Sequence, residues 1–150
     1  MPDLASINIS RGGVPKEPVF DALITATGVA GDRQRDLRYH GGPDRAVVLY
    51  SLDLIAALQR EGHFIATGTT GENLTISGLE WPAIVPGLEL KIGAVRLIVT
   101  SFASPCEKIR RSFIGGDFRR ILQGLHPGWS RVCARVIAGG IVSVGDCVTL

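Results

Sequence analysis

Leu88-Glu89-Leu90-Lys91-Ile92-Gly93-Ala94-Val95-Arg96-Leu97-Ile98-Val99 alternates apolar and polar residues on both sides of a glycine-bearing turn. Leu88, Leu90 and Ile92 fall on one face of a strand, and Val95, Leu97 and Val99 resume the pattern after Gly93-Ala94. The period of two predicts a β-hairpin with one buried face. The same signature recurs outward along the chain. Leu4 to Ser10 alternates and stops at Arg11-Gly12-Gly13, and Phe20 to Thr27 is a second β-branched run ended by Gly28. Ala46 to Tyr50 is a continuous apolar run, as a buried strand requires. Arg131 to Ile137 and Ile141 to Leu150 return to strand patterns. Helical spacing is clear only after Ser51, where Leu52, Ile55, Ala56 and Leu58 share a face and Gly62 provides the stop. Shorter helices are expected from Pro105 to about Ile114 and after Asp117. The fold class is mainly β: a largely antiparallel β-barrel with two or three short helices.

At 150 residues the chain is expected to form a single domain, 1–150, with a substantial core. A net charge of +2 is too small to mark a nucleic-acid binder. Of the 16 basic residues 13 are Arg, the better fork for phosphate or carboxylate, although a coding bias would give the same count. The start lacks the regions of a signal peptide, and no apolar run reaches membrane-span length. Three cysteines, at 106, 133 and 147, cannot all pair. A cytoplasmic protein with reduced thiols is expected, with no membrane partner.

Ser104-Pro105-Cys106-Glu107 reads as a helix start. Ser104 is a candidate N-cap, Glu107 the third-position carboxylate of a capping box, and Pro105 suits the first helical position. Cys106 would then sit among unpaired N–H groups, with Lys108, Arg110 and Arg111 close behind. Such a setting favours the thiolate. A thiolate of this kind can attack a substrate, carry sulfur or ligate a soft metal.

Between Gly31 and Arg45 lie Arg33, Arg35, Arg38, His40 and Arg45, with Asp32, Asp36 and Asp44 between them and Gly41-Gly42 near the end. In an extended segment Arg33 and Arg35 share a face and form an anion clamp; in a solvated loop each Arg pairs with a nearby Asp. Gly71-Glu72-Asn73-Leu74-Thr75 is a glycine turn entering a strand, which brings a carboxylate and an amide to its entrance. In Arg131-Val132-Cys133-Ala134-Arg135 the alternation puts Arg131, Cys133 and Arg135 together, opposite an apolar side expected to face the core. Two Arg on an outward face are usually solvated, and Cys133 there is a small strand filler or a second functional thiol. No zinc-ligand spacing, phosphate loop, nucleophile elbow or dinucleotide fingerprint is present.

Taken together, Gly31-Asp32-Arg33-Gln34, His40-Gly41-Gly42-Pro43-Asp44-Arg45-Ala46-Val47, Gly71-Glu72-Asn73-Leu74-Thr75, Ser104-Pro105-Cys106-Glu107-Lys108 and Ala134-Arg135-Val136 resemble, in order, the MOSC domain. This module is named after the C-terminal part of molybdenum cofactor sulfurases. The resemblance is to its YiiM-like branch without the C-terminal helical extension. It implies a β-barrel fold and a molybdenum cofactor (molybdenum–pyranopterin) whose metal takes the thiolate of Cys106. It implies further that Arg33, Arg35, Arg38, His40, Arg45, Asn73 and Arg135 hold the cofactor. The implied activity is reduction of small N-hydroxylated substrates with electrons from a separate reductase. Pyridoxal phosphate is not expected, and no nucleic acid is an expected partner. The alternative function is a sulfur carrier holding a persulfide on Cys106. Oligomeric state is left open.

Overall fold

The computed structural model describes residues 1–10, 12–32 and 42–150. Its strands are β1 (Asp3–Ile9), β2 (Glu17–Val19), β3 (Asp21–Thr25), β4 (Gly28–Val29), β5 (Val47–Ser51), β6 (Leu74–Ser77), β7 (Glu89–Ile92), β8 (Val95–Ala103), β9 (Arg131–Ala138), β10 (Gly140–Ser143) and β11 (Val148–Thr149). The hairpin read from the alternation is β7–β8, with Ile92 opposite Val95 and Leu90 opposite Leu97. Leu90, Ile92, Val95, Leu97 and Val99 are all buried, each contributing about 1.5–3 kcal/mol by leaving water.

One sheet runs in the order β11-β7-β8-β9-β5-β6-β1-β2, and a second holds β10-β3-β4. The expected closed barrel is therefore corrected to two sheets whose strand pairing stays open. The cause lies in the last strand pattern, which Gly145, at φ 95°, breaks into β10 and a two-residue β11. Ser143 N–H donates to Asp146 Oδ2 at 2.8 Å and fixes that turn. So short an edge strand cannot extend the ladder. Its entrance still meets β1 through one bridge, Asp3 with Cys147, and Leu4 N–H donates to Asp146 O at 2.8 Å.

Pairing is antiparallel except between β5 and β6, which run parallel. A parallel neighbour needs a crossover, and the helix α1 (Leu52–Arg60) supplies part of it. Ser51 caps α1 as its sequence predicts, its hydroxyl accepting from Leu54 N–H at 3.1 Å. Ile55 and Leu58 are the helix residues buried against the sheet.

The α-helix expected from Pro105 is not formed. Three 3₁₀ turns take its place, Glu107–Ser112, Ile114–Gly116 and Phe118–Ile121. Cys106 itself is extended, with φ −142° and ψ 176°, and no side chain caps the first turn. The burial pattern accounts for this: Ile109 and Ser112 are the buried residues of the first turn, and an i, i+3 pair lines up at three residues per turn. Phe113 is buried in extended backbone, and Gly115 and Gly116, at φ 63° and 72°, end any continuation. Asp117 likewise caps nothing; its carboxylate accepts from Arg119 Nε at 3.1 Å.

Candidate functional site

A cavity of about 770 Å³ opens between the Arg131–Cys133 face of β9 and the chain leaving β8. Ser104, Pro105 and Cys106 form one wall, Thr69, Thr70 and Gly71 another, and Gly13 to Lys16 a third. A volume of this order suits a small-molecule site. Cys106 is half-buried there, whereas Cys133 is buried and Cys147 is exposed elsewhere. Burial pushes the Cys133 thiol above its usual range, so it stays protonated where Cys106 is the accessible sulfur.

Five basic side chains line the cavity, Lys16, Arg45, Lys108, Arg111 and Arg131, and no Asp or Glu does so among the described residues. The balance of charge favours an anion. Lys16 is matched behind the wall by Asp32, 2.6 Å away, both side chains being 6% exposed. Asp32 also accepts from Ser10 N–H at 2.8 Å and from Asn73 Nδ2 at 2.9 Å. The opposite oxygen of Asn73 accepts from Val48 N–H at 2.9 Å. Asn73 is thus fully buried and joins the start of β5 to the Asp32 loop, without lining the cavity.

Arg131, expected on a solvated face, is buried beneath the cavity. Its guanidinium donates to Thr70 O at 2.5 Å, Ser104 O at 3.2 Å and Ala103 O at 3.4 Å. One side chain therefore ties the Thr70 wall to the Cys106 wall. Its Nε atom is buried without a hydrogen-bond partner among the described residues. Arg131 is buried because the chain at Thr70 and at Ala103 and Ser104 closes on its guanidinium, which alternation within β9 alone does not reveal. Beside it Glu72 is fully buried, accepting from Thr70 Oγ1 at 2.9 Å and Gly68 N–H at 3.1 Å. Burial holds the Glu72 carboxyl above the usual carboxylate range. Gly68 is required where it stands: at φ 80° an added Cβ would collide with the Lys16 carbonyl, and Lys16 N–H donates to Gly68 O at 2.9 Å.

Of the expected ligands, Cys106 and Arg45 meet in this cavity. Arg135 lies outside it, exposed, with its guanidinium on Asp44 at 2.7 Å. Asp44 belongs to the 3₁₀ turn Pro43–Arg45, and Thr100 Oγ1 donates to the Asp44 carbonyl. Arg135 thus bears on the cavity through the turn that carries Arg45. Arg33, Arg35, Arg38 and His40 lie outside the described residues. Sequence reasoning set Lys108 and Arg111 close behind Cys106 without making them ligands, and missed Arg131, Lys16 and Phe64 as lining residues; Lys16 and Phe64 carry no local motif.

The family model "MOSC domain" matches residues 36–149. The chain is 30% identical over 128 residues to "Protein YiiM" of Escherichia coli (strain K12), covering 82% of this chain and 56% of the relative. It is 29% identical over 135 residues to "Uncharacterized protein YflK" of Bacillus subtilis (strain 168), covering 89% and 60%. The chain therefore spans less than two thirds of each of these relatives. Among solved structures, that of YiiM from Escherichia coli superposes with a TM-score of 0.73 at 25% identity, covering 100% of this chain and 70% of that one. The structure of YiiM from Geobacillus stearothermophilus gives 0.76 at 21% identity, covering 100% and 75%, a likeness of fold.

Proposed function

The chain belongs to the MOSC domain family, and on that premise we propose that its cavity binds a molybdenum–pyranopterin cofactor and that the protein reduces N-hydroxylated compounds. The observation carrying this reading is the union, in one cavity, of an accessible thiol and several basic side chains with no lining carboxylate among the described residues. The donor set fits the group. A thiolate suits a soft, high-valent metal, and Arg forks suit a phosphate dianion.

Cys106 would hold the metal, and Arg45, Lys108 and Arg111 the phosphate end, a role assigned also to Arg33, Arg35, Arg38 and His40 on their sequence alone. Asn73 and Arg135 act from behind, the first by fixing Asp32 and the second by fixing Asp44. When bound, the cofactor supplies a two-electron couple and an acceptor for the substrate's oxygen. The net reaction takes R–NHOH, two electrons and two protons to R–NH₂ and water, with the electrons drawn from a separate reductase. Arg131 keeps the main chain of Ser104 in place, so that the thiol is presented from a fixed loop. Phe102 and Ile109 give the cavity an apolar wall against bulk water.

Protein purified from a host that makes the cofactor should carry molybdenum and pterin, and Cys106→Ala should lose turnover while keeping appreciable pterin. A folded protein with neither molybdenum nor pterin would sink the reading. A cyanide-labile sulfur on Cys106 in such a protein would point instead to the sulfur carrier.

A further inference from the structure

The β8–β9 ladder slips by one residue beside Cys133, which lines the cavity. Ile98 lies opposite Arg135 and Val99 opposite Ala134, but the next pair is Ser101 with Cys133, so Thr100 has no partner across the ladder. Slips of this kind re-aim a side chain and gather next to functional sites. Here the Thr100 hydroxyl donates to the carbonyl of Asp44, with Cys133 O a second acceptor at 3.2 Å. The Asp44 carbonyl belongs to the peptide bond that enters Arg45, so this clasp fixes the plane from which Arg45 leaves. Beyond Arg45, Ala46 is buried and Val47 starts β5 opposite Ala134. The main chain of Arg45 is therefore held on both sides, although the residue itself is exposed. Its charge is felt in the cavity: burial raises the Cys133 thiol, and the Ser101 bond, Arg131 and Arg45 draw it part of the way back.

We propose that Thr100 is a positioning residue for anion binding: through the Asp44 carbonyl it sets where the Arg45 guanidinium stands at the cavity. The proposal rests on the reading of the cavity as an anion site, and on the clasp alone for the part played by Thr100. Arg135 holds the other end of Asp44, its carboxylate, but the two side chains are 51% and 66% exposed. An ion pair in that setting is worth little and weakens with salt. The neutral Thr100 bond is not screened, and it acts on the main chain rather than on a side chain free to rotate. A long Arg side chain binds better when its root is fixed, because less freedom is then lost on binding.

The test measures inorganic phosphate binding by calorimetry, with urea unfolding alongside, on protein from a host that makes no molybdenum cofactor. Thr100→Val keeps the β-branched shape and removes the hydroxyl; it should weaken phosphate binding roughly threefold or more. Thr100→Ser restores the hydroxyl and should bind as the native protein does, whatever its unfolding midpoint. Arg45→Ala should weaken binding roughly tenfold, the scale of one charge-assisted bond. In the Arg45→Ala background Thr100→Val should weaken binding no further, since the group it positions is gone. Additive losses, a Thr100→Ser protein that tracks Thr100→Val, or unchanged binding in Thr100→Val would each overturn the clasp and leave the anion site standing. A native protein that binds no phosphate would overturn both. The expected pattern, in a protein that takes up neither molybdenum nor pterin from a host that makes the cofactor, would sink the cofactor reading and leave the clasp in place.

Discussion

Two thiols line the cavity, and their surroundings give them different chemistry. Cys133 is buried, with its thiol pushed up by desolvation, while Cys106 is half-buried on a wall. In a Cys147→Ser background, limiting iodoacetamide near neutral pH should alkylate Cys106 first, as read by peptide mass; a first adduct on Cys133 would reverse the assignment of the reactive sulfur. Arg131 is the other residue on which the site depends. Arg131→Met strips donors from the Thr70, Ser104 and Ala103 carbonyls and should cost about 3–5 kcal/mol in urea unfolding. Glu72 gives a pH dependence whose sign follows from its raised folded value. Below the unfolded carboxylate value, about 4.3, both states are protonated and no penalty exists. As pH rises through the folded value the unfolded state loses its proton first, and stability falls. Glu72→Gln should therefore gain relative to the native protein between pH 4.5 and 7.5; a flat difference would mean that Glu72 titrates alike in both states.

At the scale of elements, the parts legible in the sequence were those whose signal is local. The β7–β8 alternation, the buried run of β5 and the Ser51 cap each announce themselves within a few residues, and each is found in place. Ser51→Ala should accordingly cost about 1 kcal/mol in urea unfolding, from loss of the bond to Leu54 N–H. An unchanged midpoint would show that the tertiary packing of α1 overrides its cap. The 104–121 segment was misread because its cap-like residues compete with tertiary burial of Ile109, Ser112 and Phe113, which cannot be read from spacing. Arg131 was misread for the same reason, since its partners Thr70, Ala103 and Ser104 come from distant parts of the chain. Within the candidate site, Cys106 and Arg45 were legible as motif residues, whereas Lys16 and Phe64 reach the cavity only through long-range folding.

For the molecule as a whole, the excess of basic over acidic groups around the cavity has a thermodynamic consequence that needs no cofactor. Inorganic phosphate at tenfold its dissociation constant should stabilise the native state by about 1.4 kcal/mol, a rise of roughly 3–6 °C in Tm. Chloride at equal ionic strength should not reproduce it, and Arg45→Ala with Arg111→Ala should abolish it; an equal rise in that double variant would place the anion elsewhere. The bridge between Asp3 and Cys147 bears on a different matter, the rate of folding. Contacts between positions nearly a chain length apart are made only after a large loop is closed, and the β1–β6 and β8–β9 ladders add further distant pairs. Topologies of high contact order fold in milliseconds to seconds rather than microseconds. On a ribosome, the Asp3–Leu4 end of β1, beyond its pairing with β2, must therefore wait for its partner on that flank until Cys147 has emerged, and during synthesis that strand end is open to capture by a chaperone or by another copy of itself.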